Sequence, residues 1–134
     1  MYATGHGRLV VPARAFAIVA ETAVQTAERY HNLKSPKRQY SPTTRLTLAL
    51  ASSFSSVRPR RRRDGDFEFD FSFAGELTDH SDAVLDAVSV YADSEMSYET
   101  EELCFRHAWR NGAFAALLGP GVATPGATAQ GQAA

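Results

Sequence analysis

The strictest pattern in the chain is the alternation of Phe67, Phe69, Phe71 and Phe73 with Asp66, Glu68, Asp70 and Ser72. A period of two predicts a β-strand with every phenyl ring on one face and every carboxylate on the other. A lone strand leaves its backbone groups unpaired, so this one needs a neighbour: Arg8 to Val11, the segment 44 to 50, or a second copy of the chain. The charged face discourages uncontrolled stacking of such strands.

Elsewhere the period is helical. From Ala13 to Leu33, Phe16, Val19, Ala20, Ala23, Ala27 and Tyr30 share one face and Arg14, Glu21, Gln25, Glu28, Arg29 and Asn32 the other, with Ile18 alone on the polar side. Ser35-Pro36 ends that helix, because proline pushes its predecessor out of the α region. Segment 43 to 57 fits a helix opened by Ser41-Pro42, with Leu46, Leu50, Phe54 and Val57 on one side. Its alternating Leu46, Leu48 and Leu50 also fit a strand. Beyond the phenylalanine strand, helices are expected from Ser81 or Asp79 to about Asp93, and from about Ser97 to Leu118. The second has Glu99, Glu101 and Glu102 in its first turns and Arg106 and Arg110 later, an order that suits the helix dipole.

The expected fold class is therefore α+β: a mainly helical small domain with a minor sheet around residues 66–74, its core filled largely by the four rings and Trp109. A flexible amino terminus covers 1–12, where Arg8 to Val11 is a short β-favouring run stopped by Pro12. One small domain spans 13–118, with a basic loop at 58–65. A disordered tail occupies 119–134, after Gly119-Pro120-Gly121. Leu103, Phe105, Trp109, Phe114 and Leu117 surround the last helix on several sides, which suggests a homo-oligomer.

Charge changes the picture. The net charge of -1 hides a split after Arg63: twelve Lys or Arg against Glu21 and Glu28 before it, a net of +10, and Arg106 and Arg110 against thirteen Asp or Glu after it, a net of -11. Such sorting points to a polyanionic partner for the basic half, or to the halves pairing within or between chains. The single Cys104 cannot make an internal disulfide, which argues for an intracellular protein. Ala15 to Ala20, the longest apolar stretch near the start, is too short to span a bilayer, so no membrane partner is expected.

Arg58-Pro59-Arg60-Arg61-Arg62-Arg63 is the sharpest local feature. It reads as a nuclear localisation signal in a eukaryote or as a phosphate-contacting cluster, against the alternative of a solvated loop balancing the acidic half. Arg58, Arg60, Arg61, Arg62, Arg63, Lys37 and Arg38 are the candidate polyanion-binding residues. Ser35 and Ser41 are candidate phosphorylation sites, since Ser35-Pro36-Lys37-Arg38 resembles the target pattern of proline-directed kinases; the ordinary alternative is a turn and a helix start.

Little suggests an enzyme. His6, His31, His80 and His107 are scattered, and phosphate-loop, nucleophile-elbow and zinc-protease patterns are missing. Cys104 and His107, three apart on the expected helix, make only half a metal site, and Cys104 fits better as a small core residue. Carboxylates 66, 68 and 70 fit a solubilising face better than a cation site. No cofactor is implied.

Three functions follow from these features. The first is a non-enzymatic binding or assembly protein whose basic amino-terminal half contacts nucleic acid or an acidic protein surface. The second is a homo-oligomeric structural subunit whose basic and acidic halves pair between copies. The third is an organelle-targeted acidic protein with a removable presequence, because the Arg-rich, acid-poor composition of residues 1–63 suits a transit peptide.

Overall fold

A computed structural model describes residues 2–101 and 104–109. In chain order the elements are β1 (Tyr2–Val11), a 3-10 turn (Ala13–Ala15), α1 (Phe16–Tyr30), α2 (Pro42–Ala51), β2 (Ser55–Arg61), β3 (Phe67–Glu76), α3 (Ala83–Val88), β4 (Asp93–Glu99) and β5 (Cys104–Trp109). All five strands join one antiparallel sheet in the order β2-β3-β1-β4-β5. The expectation of a mainly helical domain with a minor sheet is thus overturned: the fold is a sheet-rich α+β domain.

The alternating phenylalanines do form a strand, and of the three proposed neighbours it takes the first. β3 pairs along its whole length with β1, from Tyr2 opposite Glu76 to Val11 opposite Phe67. Its other side pairs with β2, which takes in the end of the segment 43–57 and the first part of the expected basic loop at 58–65. Segment 44 to 50 is helical instead. Phe69, Phe71 and Phe73 are buried beneath the helices in one cluster with Leu9, Val11, Val19, Leu46, Leu50, Val84 and Leu85. Phe67, at the end of the row, is only partly buried.

Within residues 1–12, expected as a flexible terminus, Tyr2–Val11 form the central strand instead. Its inward positions are Ala3, Gly5, Gly7, Leu9 and Val11, so two glycines erase the apolar half of the alternation. Gly7 is required by its neighbour. A Cβ there would lie 2.7 Å from the Phe71 ring and 2.5 Å from the Glu95 carbonyl oxygen, so the ring fills the space that a side chain would claim.

The helix expected over 97–118 is also overturned as far as the chain is described. Residues 93–99 and 104–109 are paired strands, Ser94 opposite Trp109 through Glu99 opposite Cys104. Inward Ser94, Met96 and Tyr98 alternate with outward Glu95, Ser97 and Glu99, but the serines weaken the signal and the acidic residues suit a helix start equally well. Residues 110–118, the tail at 119–134 and the side chain of Trp109 lie outside the described residues. The helix from which self-association was inferred is thus replaced by strands over 97–99 and 104–109.

The remaining helices are close to expectation. α1 buries Val19, Ala20, Ala23, Val24 and Ala27 and leaves Ile18 in solvent. Ser41 caps α2, its Oγ accepting from the Thr44 N–H at 3.2 Å, with Pro42 in the first turn. α3 is shorter than expected, six residues, and lacks a side-chain cap, although Val84, Leu85 and Val88 face inward as read. Among the described residues no helix is long and apolar enough to cross a membrane.

The two differently charged halves are not two lobes. β1 and β2 from the basic half flank β3 from the acidic half, and β4 lies beyond β1. Residues before Arg63 thus contribute the middle of the sheet, two helices and an edge strand, and removing them would separate β3 from β4.

Candidate functional site

Because strand residues alternate, the side of β3 that faces away from the helices carries Glu68, Asp70 and Ser72. Antiparallel register sets basic residues directly beside them: Arg58 opposite Asp70 and Arg60 opposite Glu68 on β2, and Arg8 opposite Asp70 on β1. Cross-strand neighbours this close pair up. Arg60 Nη2 lies 2.6 Å from Glu68 Oε2, Arg8 Nε lies 3.3 Å from that same oxygen, and Arg8 Nε is 3.4 Å from Asp70 Oδ1.

Glu68 is consequently buried on a polar face, its side chain 4 % exposed beneath two guanidinium groups that remain in solvent. Burial pushes its carboxyl up, but the hydrogen bond from Arg60, its neighbour Asp70 and the Arg8 charge outweigh that, and the net shift is below the usual carboxylate range. The same hydrogen bond raises Arg60. Carboxylates 66, 68 and 70 are therefore neither a bare solubilising face nor a cation site. Glu68 and Asp70 engage arginines, and Asp66 accepts from the Ala13 N–H at 3.3 Å.

The arginine run is not the loop that the sequence suggested. Arg58 to Arg61 belong to β2, an edge strand, and only residues 62–66 make the turn to β3. Proline and charge on an outer strand keep other chains from adding to it, so Pro59 and its flanking arginines protect this edge. The turn is held firmly: the Arg62 N–H donates to the Asp66 carbonyl at 2.8 Å, the Gly65 N–H to the Arg62 carbonyl at 3.1 Å, and Gly65 takes the positive φ of 92° that glycine tolerates best. The Asp66 bond to Ala13 ties the tip to the start of the helical layer.

Within this frame the five arginines have different fates. Arg60 is engaged by Glu68, and Arg62 lies 3.5 Å from Asp64. Arg61 sits over the Phe67 ring, its Cζ 5.4 Å from the centroid. Arg58 and Arg63 are exposed and engage no carboxylate among the described residues; Asp70, opposite Arg58, meets Arg8. The candidate residues Lys37 and Arg38 are exposed on the connector between α1 and α2, and no hydrogen bond or ion pair joins them to the hairpin. The other members of the basic half are dispersed; Arg45, for example, ties α2 to α1 through Glu21 at 3.0 Å.

The two serines also separate. Ser35 lies on that connector and its Oγ donates to Glu28. Ser41 is occupied as the α2 cap.

Sequence reasoning missed Arg8, whose place between Glu68 and Asp70 depends on β1 being central. It also missed Phe16 and Phe67 as surface aromatics, although Phe67 is the ring nearest the arginine run.

A depression of about 540 Å³ opens over β1, β4 and β5, lined in part by Thr4, His6, Glu99, Cys104 and Arg106. Cys104, expected in the core, is exposed there, with Glu99 Oε2 3.7 Å from its Sγ. Cys104 and His107 belong to a strand, so the pairing expected from a helix loses its premise. Among the described residues, no group of three or more His, Cys, Asp or Glu is placed to hold a metal ion.

A scan against protein-family models finds no match for the chain, and searches of curated proteins and of solved structures find none either.

Proposed function

We propose that this protein is a non-enzymatic binding module that docks a polyanion, nucleic acid or another acidic surface, along the β2 edge and the turn that follows it. The observation that carries this reading is the uneven use of the arginines. Arg8 and Arg60 are held by Glu68 and Asp70, whereas Arg58 and Arg61 on the edge strand and Arg63 in its turn stay exposed, with no carboxylate partner among the described residues. Cations carried on a paired strand and its closed turn cost less ordering entropy on binding than those of a flexible basic loop do. The contact surface is narrower than the basic half as a whole, because Arg8, Arg45, Arg60 and Arg62 are spent on internal ion pairs.

The experiment is anisotropy of a labelled single-stranded oligonucleotide titrated with the full chain over a range of salt. Three uncommitted guanidiniums, each displacing roughly 0.7 of a counterion on a single strand, give an expected slope of about -2 in log K against log salt. An affinity that does not change with salt removes the reading.

A further inference from the structure

We propose that Arg61, backed by Phe67 and Phe16, is a stacking platform for an unpaired base, so that the polyanion taken by the β2 edge is single-stranded nucleic acid. This deepens the polyanion reading above and rests on it.

Arg61 and Phe67 are direct cross-strand partners at the closed end of the hairpin. One face of the Phe67 ring is stacked on Phe16, with centroids 4.2 Å apart and planes 15° apart. A ring has two faces, so the guanidinium over Phe67 takes the other. Phe16 in turn meets Phe69 at 6.1 Å, and Phe69 is fully buried. A chain of aromatic contacts therefore runs from the core toward solvent and ends at the exposed Arg61.

That arrangement differs from an ordinary surface arginine in two ways. Its guanidinium carbon lies over a ring that is itself stacked on the helical layer, and the residue is exposed. Bases stack on arginine planes as they do on aromatic rings, and every base has such a face, so recognition is tolerant of sequence. Arg58, on the opposite face of the strand at roughly 3.3 Å per residue, and Arg63 in the turn lie on either side of Arg61 along the chain to meet the backbone.

A duplex offers this platform no free base face. Its bases are already stacked on one another, and reading its major groove requires a helix or a two-stranded ribbon that can enter it. Here the hairpin is no free ribbon, because β3 is paired to β1 through Val11 opposite Phe67 and the tip is tied to Ala13.

The test compares three probes on the full-length protein and on Arg61→Lys, which keeps the charge and loses the planar stack: an oligothymidylate, an abasic oligonucleotide of equal length, and inorganic polyphosphate. The wild type should hold the oligothymidylate about tenfold tighter than the abasic strand. Arg61→Lys should lose roughly that factor for oligothymidylate alone and leave the abasic strand and polyphosphate unchanged. Phe67→Leu, checked by circular dichroism for an intact fold, should lose part of the same preference by removing the support. If oligothymidylate and the abasic strand bind the wild type equally, or if Arg61→Lys leaves the preference intact, the platform is wrong while the polyanion reading stands. Failure of all three probes to bind overturns both.

Discussion

The two sides of β3 solve opposite problems with one backbone. Toward the helices, Phe69, Phe71 and Phe73 are taken out of water by α1, α2 and α3. Away from them, Glu68 is equally buried, but by Arg8 and Arg60 folding over it. The apolar side holds the domain together by area. The polar side settles where charge remains free, because every arginine captured by β3 is one fewer available to a partner. On the β2 edge Arg60 is captured as well, which leaves Arg58 and Arg61 exposed there and Arg63 in the turn.

That contrast is broken most severely from the apolar side. Phe69→Ala leaves a cavity at the centre of the core and should lower the unfolding free energy by about 3 to 5 kcal/mol, read by chemical denaturation. Gly7→Ala attacks the same face through the backbone. The new methyl meets the Phe71 ring and the fixed Glu95 carbonyl, so a cost of about 1 to 3 kcal/mol is expected in the same assay.

These two substitutions also mark what the sequence could and could not convey. The phenylalanine face, the α1 stripe and the Ser41 cap are local patterns, and each was legible because one element carries its whole signal. β1 was not, since Gly5 and Gly7 look like disorder until a ring from another strand is laid across them. β4 was not, because Glu95 and Glu99 suit the start of a helix as well as the outer face of a strand. For the site, the arginine run was visible as composition. Which arginines are spent was not, since Glu68 and Asp70 meet Arg8 and Arg60 only through strand register.

A smaller effect is expected from the polar side, and it depends on pH. Glu68 is held below its ordinary value, so the stability it contributes is fully present above about pH 4.5 and is lost as pH falls through the lower folded value. Arg60→Ala removes the main hydrogen bond that opposes burial. The variant should be less stable than the wild type at neutral pH, and the difference should shrink as Glu68 protonates. Acid titration of the two proteins followed by circular dichroism checks this; a gap that widens toward low pH would contradict the ion-pair account.

The smallest effect on stability belongs to the edge itself. Arg58→Ala combined with Arg63→Ala removes no internal partner and should change the unfolding free energy by less than about 0.5 kcal/mol. The melting curve of the double variant should therefore overlay that of the wild type.

The most direct measurement is the salt dependence of single-strand binding for this double variant beside Arg8→Ala. With Arg58 and Arg63 gone, the slope should flatten by about 1.4, two guanidiniums at roughly 0.7 each, while Arg8→Ala keeps the wild-type slope. If Arg8→Ala flattens the slope as much as the edge variant does, charge on the open face is not internally spent, and the division between a neutralised face and a free edge is wrong.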